Sequence, residues 1–267
     1  MPRVSVCIPH WQVKVYMQLA LRSIRRHSRN YDVETIVVDN GSKDDSLDYL
    51  RSIPWIRLIE RPDEVHTNWP GNVFTAWDCG LKAATGDYFI TMHSDVFVKR
   101  DDWLDPFLRE IERGPKIAAS GAWKLEIEHP PYALQKRFVG VGATQGKALF
   151  GRKKSHIKAE KPYPLDYCAM YRTETLRERG MSFYGTSGGA GGYTIAKQIW
   201  DAGHDTRMIT VPELAEYIYH VAHGTAAVTG KSLRHKRAQK KVEHKVADLF
   251  EEAWIRDLLA DDSLDEA

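Results

Sequence analysis

Three polar residues, His93, Ser94 and Asp95, follow directly after an apolar run that ends at Met92. The run begins at Tyr88 and predicts a short buried strand, because nearly all of its residues are apolar, aromatic or β-branched. In open α/β sheets ligands bind beyond the carboxyl ends of the strands, so the triplet is expected at the mouth of a crevice. A carboxylate there suits Mg²⁺, which takes one or two protein carboxylates beside water and phosphate oxygens. The alternative is an ordinary turn, since Ser and Asp are common turn residues.

A second carboxylate, Asp39, follows another apolar run at residues 34–38. Strands and helices alternate at short intervals in this half of the chain, which predicts a mostly parallel sheet with helices on both faces. Asp39 and Asp95 then both lie at carboxyl ends of strands and can face one crevice. Ser42 is expected to cap a helix that begins near Lys43.

The remaining elements are predicted from periodicity and from glycine and proline positions. The predicted strands are 4–8, 34–38, 57–59, 88–92, 117–123, 165–171 and 207–211, and the main helices are 71–84, 101–113, 193–202 and one from 232 onward. Residues 125–164 are expected to form an irregular loop region, and 185–192 form a glycine-rich loop.

Composition sets limits on the class of protein. The 267 residues can bury one large α/β core, and a formal net charge of +2 implies no polyelectrolyte partner. Cys7, Cys79 and Cys168 are far apart in apolar runs, which predicts reduced thiols in a cytoplasmic protein rather than disulfides or a zinc site. The chain enters its first strand without an apolar signal-peptide segment, and it has no apolar run as long as a membrane span.

Several segments, taken together and in order, resemble the nucleotide-sugar-binding half of family 2 glycosyltransferases with the GT-A fold. The matching segments are Val4-Ser5-Val6-Cys7-Ile8-Pro9, Ile36-Val37-Val38-Asp39-Asn40-Gly41-Ser42, Gly80-Leu81-Lys82-Ala83-Ala84-Thr85-Gly86-Asp87-Tyr88, His93-Ser94-Asp95 and Trp103-Leu104. The resemblance continues more loosely to about His223. It implies a GT-A domain over 1–230, with a nucleotide-sugar half at 1–100 and an acceptor half at 101–230. Residues 231–267 lie outside the resemblance and are expected to form an amphipathic helix with an acidic tail.

The resemblance implies binding of a nucleoside-diphosphate sugar, with a UDP-sugar as the expected donor. Asp95 matches the last residue of the family's Asp-x-Asp motif, which holds Mn²⁺ or Mg²⁺ on the diphosphate. Asp39 would hold the base or ribose, while Pro9 and His10 would line the nucleotide pocket. The other residues assigned to the nucleotide sugar are Asn40, Ser42, Asp78, Lys82, His93 and Ser94.

The motif departs from the family where His93 replaces the first aspartate. Histidine can donate to a ribose hydroxyl or ligate Mn²⁺, so His93 is assigned to the metal together with Asp95. Family members often carry a late histidine near the metal, which here would be His220 or His223. We favour His223 as this ligand.

A second departure concerns the catalytic base. The resemblance implies an acidic pair where this sequence has Gly191-Gly192. Asp166 or Glu213 could serve as the base instead. Alternatively, the enzyme could retain configuration without a dedicated base, or the protein could be a non-catalytic module that binds a nucleotide sugar or glycan. A sugar-1-phosphate nucleotidyltransferase is disfavoured, because no glycine-rich basic loop follows the first strand.

The acceptor is not identified by sequence, and a glycan, a lipid-linked molecule or a small molecule would each fit the class. The basic stretch 231–245 favours a solvated helix face, with peripheral membrane contact as the alternative. A stripe that includes Phe250 and Trp254 is expected to be core or a homodimer contact.

Overall fold

The computed structural model describes residues 1–64, 69–123, 125, 161–185, 191–221 and 246–266. The strands are β1 (Arg3–His10), β2 (Asp32–Asp39), β3 (Ile56–Glu60), β4 (Tyr88–Met92), β5 (Val96–Val98), β6 (Ile117–Ala122), β7 (Cys168–Arg172), β8 (Asp205–Ile209) and β9 (Ile218–His220). The helices are α1 (Lys14–His27), α2 (Ser46–Ser52), α3 (Trp69–Ala83), α4 (Asp105–Ile111), α5 (Thr173–Glu178), α6 (Gly191–Asp201), α7 (Val211–Tyr217) and α8 (Ala253–Ala260), followed by a 3₁₀ turn (Asp262–Asp265).

Seven strands form the central sheet, in the order β3-β2-β1-β4-β7-β6-β8. Strand β7 runs antiparallel to both of its neighbours, and the other pairings in this sheet are parallel. Alternate residues of β1 enter two different cores: Val6 packs with α1 and α4, while Cys7 packs with α3 and α6. The predicted α/β architecture, mostly parallel and covered on both faces, is therefore confirmed.

A second, two-stranded sheet lies beside the end of β4. Strand β5 follows β4 after a short turn and pairs antiparallel with β9, so that Val96 lies opposite His220. Neither strand is among those predicted from sequence, because each has only three residues. Their pairing joins the end of β4 to a segment from far along the chain.

Several predicted helix boundaries change in the structure. Helix α2 begins at Ser46 rather than near Lys43, and Ser42 is not its cap because the Ser42 hydroxyl donates to Asp39. Helix α4 is also shorter than predicted, since it covers only 105–111. Near the C-terminus, residues 246–251 are helical and α8 begins after a break at Glu252. The predicted start of that helix at residue 232 and most of the predicted loop region 125–164 lie outside the described residues.

The C-terminal segment packs onto the main core instead of standing apart. Trp254 and Phe250 pack against this core, as the core interpretation of the stripe predicted. The Arg22 guanidinium of α1 is 2% exposed and donates to both carboxylate oxygens of Asp265, at 2.9 and 2.6 Å. It also donates to the Leu259 carbonyl oxygen at 2.6 Å. A domain boundary at residue 230 stays a prediction.

We expect the Arg22→Met variant to lose about 3 kcal/mol of unfolding free energy, because removing one partner of a buried ion pair leaves the other uncompensated. Arg26→Met is the matched control on the same helix. The Arg26 side chain is 29% exposed and pairs with Asp261, so its loss should cost less than about 1 kcal/mol. Urea denaturation of both variants measures the difference. Equal losses of unfolding free energy would show that the buried contacts of Arg22 do not hold the C-terminal segment on the core.

No helix among the residues given above is both long enough and apolar enough to cross a membrane.

Candidate active site

Three side chains, those of His93, Asp95 and His220, converge at the carboxyl edge of the central sheet. His93 and Asp95 follow β4 directly, and the β5–β9 pairing brings in His220. One ligand atom from each residue lies within 4.8 Å of the other two. Asp95 Oδ1 is 3.5 Å from His220 Nε2 and 3.9 Å from His93 Nδ1. We call these three residues the His-Asp-His cluster.

Aromatic rings position both imidazoles of the cluster. Trp77 of α3 stacks on His93, with ring centroids 5.6 Å apart and planes 13° from parallel. Tyr167 stacks on His220, with centroids 4.6 Å apart and planes 6° from parallel. The Tyr167 carbonyl oxygen also accepts a hydrogen bond of 2.9 Å from the His93 amide. Tyr167 therefore supports both histidines, one through its ring and the other through its backbone.

The cluster has a composition that fits a divalent metal ion. Asp95 is 5% exposed, and both ring nitrogens of His220 are buried without a hydrogen-bond partner in the described part of the chain. A buried polar atom without a partner costs about 1–3 kcal/mol, and a metal bond to one nitrogen would remove that cost. Burial, with the charge of Asp95 adding to it, raises the pKa of Tyr16 and keeps this neighbouring phenol protonated. His223, the favoured late histidine, lies outside the described residues, whereas the alternative His220 belongs to the cluster.

Asp39 lies at the tip of β2, two strands away from β4 and so about 10 Å across the sheet. It is 1% exposed, and its carboxylate accepts hydrogen bonds from the Gly41 amide at 3.0 Å, the Ser42 amide at 3.0 Å and the Ser42 hydroxyl at 2.5 Å. A carboxylate has roughly four acceptor positions, so most of this one is occupied. Asp39 thus shapes the loop after β2 rather than standing open in a crevice, and its contact with a nucleoside stays a prediction.

The turn after β1 is strained and tied to that same loop. Gln12 and Val13 have φ values of 56° and 63°, a region that is unfavourable for a β-branched residue. Their amides donate to Ser42 Oγ at 2.8 Å and to Asp44 Oδ2 at 3.0 Å. Backbone strain of this kind is concentrated at ligand-binding sites, and here it fixes two loops at the edge where a nucleotide is expected.

The buried His10 side chain contacts Ser46, which follows the loop after β2. Its ring is 1% exposed, and Nε2 lies 2.8 Å from Ser46 Oγ. The Ser46 hydroxyl donates to Asp44, so we assign the His10 proton to Nε2. Burial lowers the pKa of His10 to about 4, against the opposing charges of Asp39 and Asp44. Pro9 is buried as well, so neither residue presents an open face, and their nucleotide contacts stay predictions.

Two other predicted nucleotide contacts lie at the same edge. Asn40 is 3% exposed, and its side-chain oxygen accepts a hydrogen bond of 2.5 Å from Arg61. Ser94 stands between the two cluster residues that follow β4 and is half-buried. Of these two residues, Ser94 is the more accessible to a ligand.

Asp78 and Lys82 do not join the cluster. Asp78 accepts hydrogen bonds from the Ser182 hydroxyl at 2.6 Å and from the Phe183 amide at 2.8 Å, so it holds the loop before the glycine-rich stretch. Lys82 is exposed on the last turn of α3, which leads into the start of β4. Lys82 therefore lies toward the opposite edge of the sheet from Asp95, because the helix runs back across the sheet before β4 begins.

The Asp166 carboxylate lies beside Gly191 and Gly192, the residues that stand where the resemblance implies an acidic pair. Its Oδ2 accepts a hydrogen bond of 3.2 Å from the Gly192 amide, in the first turn of α6. A Cβ on Gly191 would come within 2.9 Å of that oxygen and 2.4 Å of the Phe74 ring, so a side chain at 191 would collide. The helix amino terminus stabilises a negative charge placed there. Asp166 also directly precedes Tyr167, which contacts both histidines of the cluster.

Glu213, the other candidate base, forms an ion pair with Arg109 of α4. It lies in the first turn of α7, and its amide is capped by the Thr210 hydroxyl at 3.4 Å. Strand β8, which precedes α7, is one of the two edge strands of the central sheet. Asp166 thus adjoins a residue that contacts the cluster, whereas Glu213 has a separate partner.

A seven-stranded, mostly parallel sheet with helices on both faces corresponds to the GT-A fold. The chain belongs to glycosyl transferase family 2, because the sequence model of that family matches residues 5–180, more than half of the chain. An uncharacterized glycosyltransferase from Haemophilus influenzae is 29% identical over 101 residues, which cover 38% of this chain and 39% of the relative. The similarity thus spans well under half of that relative's length.

Solved structures share the fold at low sequence identity. The mannosyltransferase PcManGT from Pyrobaculum calidifontis, in complex with GDP-Man and Mn²⁺, has a TM-score of 0.55 and 18% identity, covering 97% of this chain and 73% of that one. TarS from S. aureus has a TM-score of 0.52 and 14% identity, covering 93% of this chain and 44% of that one. At identities this low, the TM-scores show a common fold and nothing further.

Proposed function

We propose that this protein is a metal-dependent glycosyltransferase that transfers a sugar from a nucleoside-diphosphate donor. The observation that carries the proposal is the His-Asp-His cluster, which lies at the carboxyl edge of a family 2 sheet, as do the strained turn after β1 and the loop after β2. Its residues fit a divalent ion, and the same edge is where an α/β sheet binds its ligand. His220 takes the role of the late histidine in this proposal, and His223 remains a further candidate.

Mn²⁺ or Mg²⁺ held by the cluster would supply positive charge beside the leaving diphosphate, where negative charge grows in the transition state. The protein's own residues fix the position of that charge. Asp95 provides the anionic ligand, and the rings of Trp77 and Tyr167 restrain the two imidazoles. Preorganised groups of this kind cost no reorganisation during the reaction, which is why they favour the transition state.

We assign the role of general base to Asp166. Its partly exposed carboxylate would take the proton of an acceptor hydroxyl, while the hydroxyl oxygen bonds to the anomeric carbon and the nucleoside diphosphate departs. A single displacement of this kind inverts the anomeric configuration. The hydrogen bond from the Gly192 amide keeps the carboxylate oriented.

The donor is proposed to be a UDP-sugar, and GDP-sugars belong in the same test because PcManGT was solved with GDP-Man. A cytoplasmic location is proposed from the free cysteines Cys7, Cys79 and Cys168. A glycan, lipid-linked or small-molecule acceptor, a peripheral membrane contact and a homodimer are further parts of the proposal.

The alternative is a non-catalytic module that binds a nucleotide sugar or glycan on the same fold. The glycines at 191 and 192 favour it, because they replace the family's acidic pair. Hydrolysis of UDP- and GDP-sugars with Mn²⁺ or Mg²⁺ separates the two functions. Metal-dependent turnover supports the transferase, whereas nucleotide binding without turnover supports the module. Absence of both binding and turnover would contradict the proposed function.

We expect the wild-type protein to bind Mn²⁺ at least about tenfold more tightly than Mg²⁺, because Mg²⁺ prefers oxygen ligands and two of the three ligands here are imidazoles. His93→Asp restores an Asp-x-Asp motif and should reduce that preference. Isothermal titration calorimetry with each metal measures the ratio. His27→Asn is the control, since His27 pairs with Asp101 on the surface. If the ratio of Mn²⁺ to Mg²⁺ affinity is unchanged in His93→Asp, then His93 is not a metal ligand.

A further inference from the structure

Four aromatic side chains form a cluster beside the amino terminus of α6. Tyr163 lies at its centre, with ring centroids 5.3 Å from Trp123, 5.6 Å from Tyr193 and 6.3 Å from Trp200. The planes of these pairs lie between 64° and 83° apart, so the rings meet edge to face. Such pairs are worth about 0.5–1.5 kcal/mol beyond the area they bury. The ring contacts therefore hold these four side chains in fixed positions.

Part of this cluster is anchored and part faces solvent. The Trp200 indole donates to the Thr206 hydroxyl at 3.3 Å, and that hydroxyl donates to the Pro162 carbonyl oxygen at 2.9 Å. Trp123, in contrast, is 47% exposed and is one of the few large apolar side chains that the described residues leave in water. An exposed aromatic ring that packs on fixed neighbouring rings is a surface that a binding partner can cover.

The cluster lies next to the proposed base. Tyr193 directly follows Gly192, whose amide donates to Asp166. Tyr163 precedes Asp166 by three residues, and burial, with the charge of Asp166 adding to it, raises the pKa of Tyr163. The Tyr163 phenol is therefore a neutral hydroxyl close to the carboxylate. A molecule whose hydroxyl reaches Asp166 would extend over these rings.

Carbohydrate is the ligand whose chemistry matches this surface. A pyranose ring presents C–H groups on its faces and hydroxyls on its rim, and the cluster offers the exposed ring of Trp123 beside tyrosine hydroxyls. An acyl chain would leave those hydroxyls without partners, which costs free energy when they are desolvated. A small polar acceptor would leave the tryptophan uncovered.

We propose that Trp123, Tyr163 and Tyr193 form an acceptor subsite that binds a sugar residue, and hence that the acceptor is a glycan. This inference rests on the proposed function, since it places the acceptor at Asp166. It narrows the acceptor from three classes to one, and it makes Trp123 a specificity-determining residue.

The test measures glycan binding separately from nucleotide binding. Unmodified trisaccharides of glucose, galactose, mannose and N-acetylglucosamine are titrated against the protein with Mn²⁺ and UDP or GDP present, using ligand-observed NMR. At least one should bind, and Trp123→Ala should weaken it by about tenfold, which corresponds to 1.4 kcal/mol. Trp123→Phe should recover part of that loss. Tyr184→Ala is the control, because Tyr184 is 49% exposed and makes none of the ring contacts of this cluster.

Each outcome supports or overturns the subsite. If no trisaccharide binds the wild-type protein, or if Trp123→Ala binds as wild type does, the inference is wrong. Binding of Mn²⁺ and nucleotide in the same samples reports separately on the proposed function. Intact nucleotide binding without glycan binding overturns the subsite alone. Glycan binding without nucleotide binding supports the subsite and contradicts the proposed transferase function.

Discussion

Replacing Asp95 with asparagine is expected to abolish metal-dependent nucleotide binding and to lower sugar transfer by about 100- to 1,000-fold. Asp95 supplies the one negative charge of the His-Asp-His cluster, and the two imidazoles alone are a weak set for a divalent ion that must also hold a diphosphate. Asparagine keeps the size of the side chain. The Asp95 carbonyl oxygen, which accepts a hydrogen bond of 3.0 Å from Val221, is unaffected.

Calorimetry with Mn²⁺ and UDP or GDP measures the loss, and thermal unfolding confirms that the variant is folded. Asp102→Asn is the matched control, because Asp102 lies near in sequence but pairs with Arg100 on the surface. If Asp95→Asn binds nucleotide with Mn²⁺ as tightly as the wild-type protein, the metal site does not lie at the end of β4.

The second large effect is expected at Asp166. Asp166→Asn should lower transfer by about 100- to 10,000-fold, the usual contribution of a general base. Nucleotide and Mn²⁺ binding should stay unchanged, because asparagine can still accept the hydrogen bond from the Gly192 amide. Loss of turnover with intact binding is the behaviour of a residue that acts only in the chemical step.

Glu213→Gln is the comparison that decides between the two candidate bases. Glu213 is paired with Arg109 and has no part in the proposed chemical step, so we expect its replacement to alter turnover by less than about fivefold, which corresponds to about 1 kcal/mol. A large loss in Glu213→Gln with normal turnover in Asp166→Asn would reverse the assignment. Retention of anomeric configuration in the product would exclude the single displacement for which a base is proposed.

Local sequence was sufficient to place Asp95 just beyond the end of a buried strand, because composition defines where β4 ends. His220 illustrates what local sequence cannot provide. The choice between His220 and His223 depends on the register of β9 against β5, where His220 lies opposite Val96. That register is set by two three-residue strands from distant parts of the chain, and neither leaves a periodic signal.

Local sequence was also insufficient to predict which hydrogen bonds the buried polar residues make. Asp39 was predicted to face a crevice, but the structure turns its carboxylate toward Gly41 and Ser42. Asp78 likewise holds the loop at 182–184. In both positions an acidic residue at the expected place satisfies backbone donors of a loop, a demand that appears only when the loop is folded.

From sequence, Gly191 and Gly192 stand where the resemblance implies an acidic pair, and Asp166 is one of two candidate replacements. In the structure the missing side chain makes room for Asp166, which enters from a different segment. Trp77 and Tyr167 were missed as supports of the cluster, because an aromatic residue in an apolar run looks like ordinary core. Their stacking on histidines depends on contacts between elements that are well separated along the chain.

Pulsed electron paramagnetic resonance of bound Mn²⁺ detects the atoms next to the ion and so shows whether the His-Asp-His cluster holds it. With UDP or GDP added, we expect nitrogen couplings from two imidazoles and phosphorus coupling from the diphosphate on the same ion. His93→Ala and His220→Ala should each remove one imidazole contribution. A bound Mn²⁺ that shows phosphorus coupling but no nitrogen coupling, or nitrogen couplings that survive in both variants, would place the metal site elsewhere.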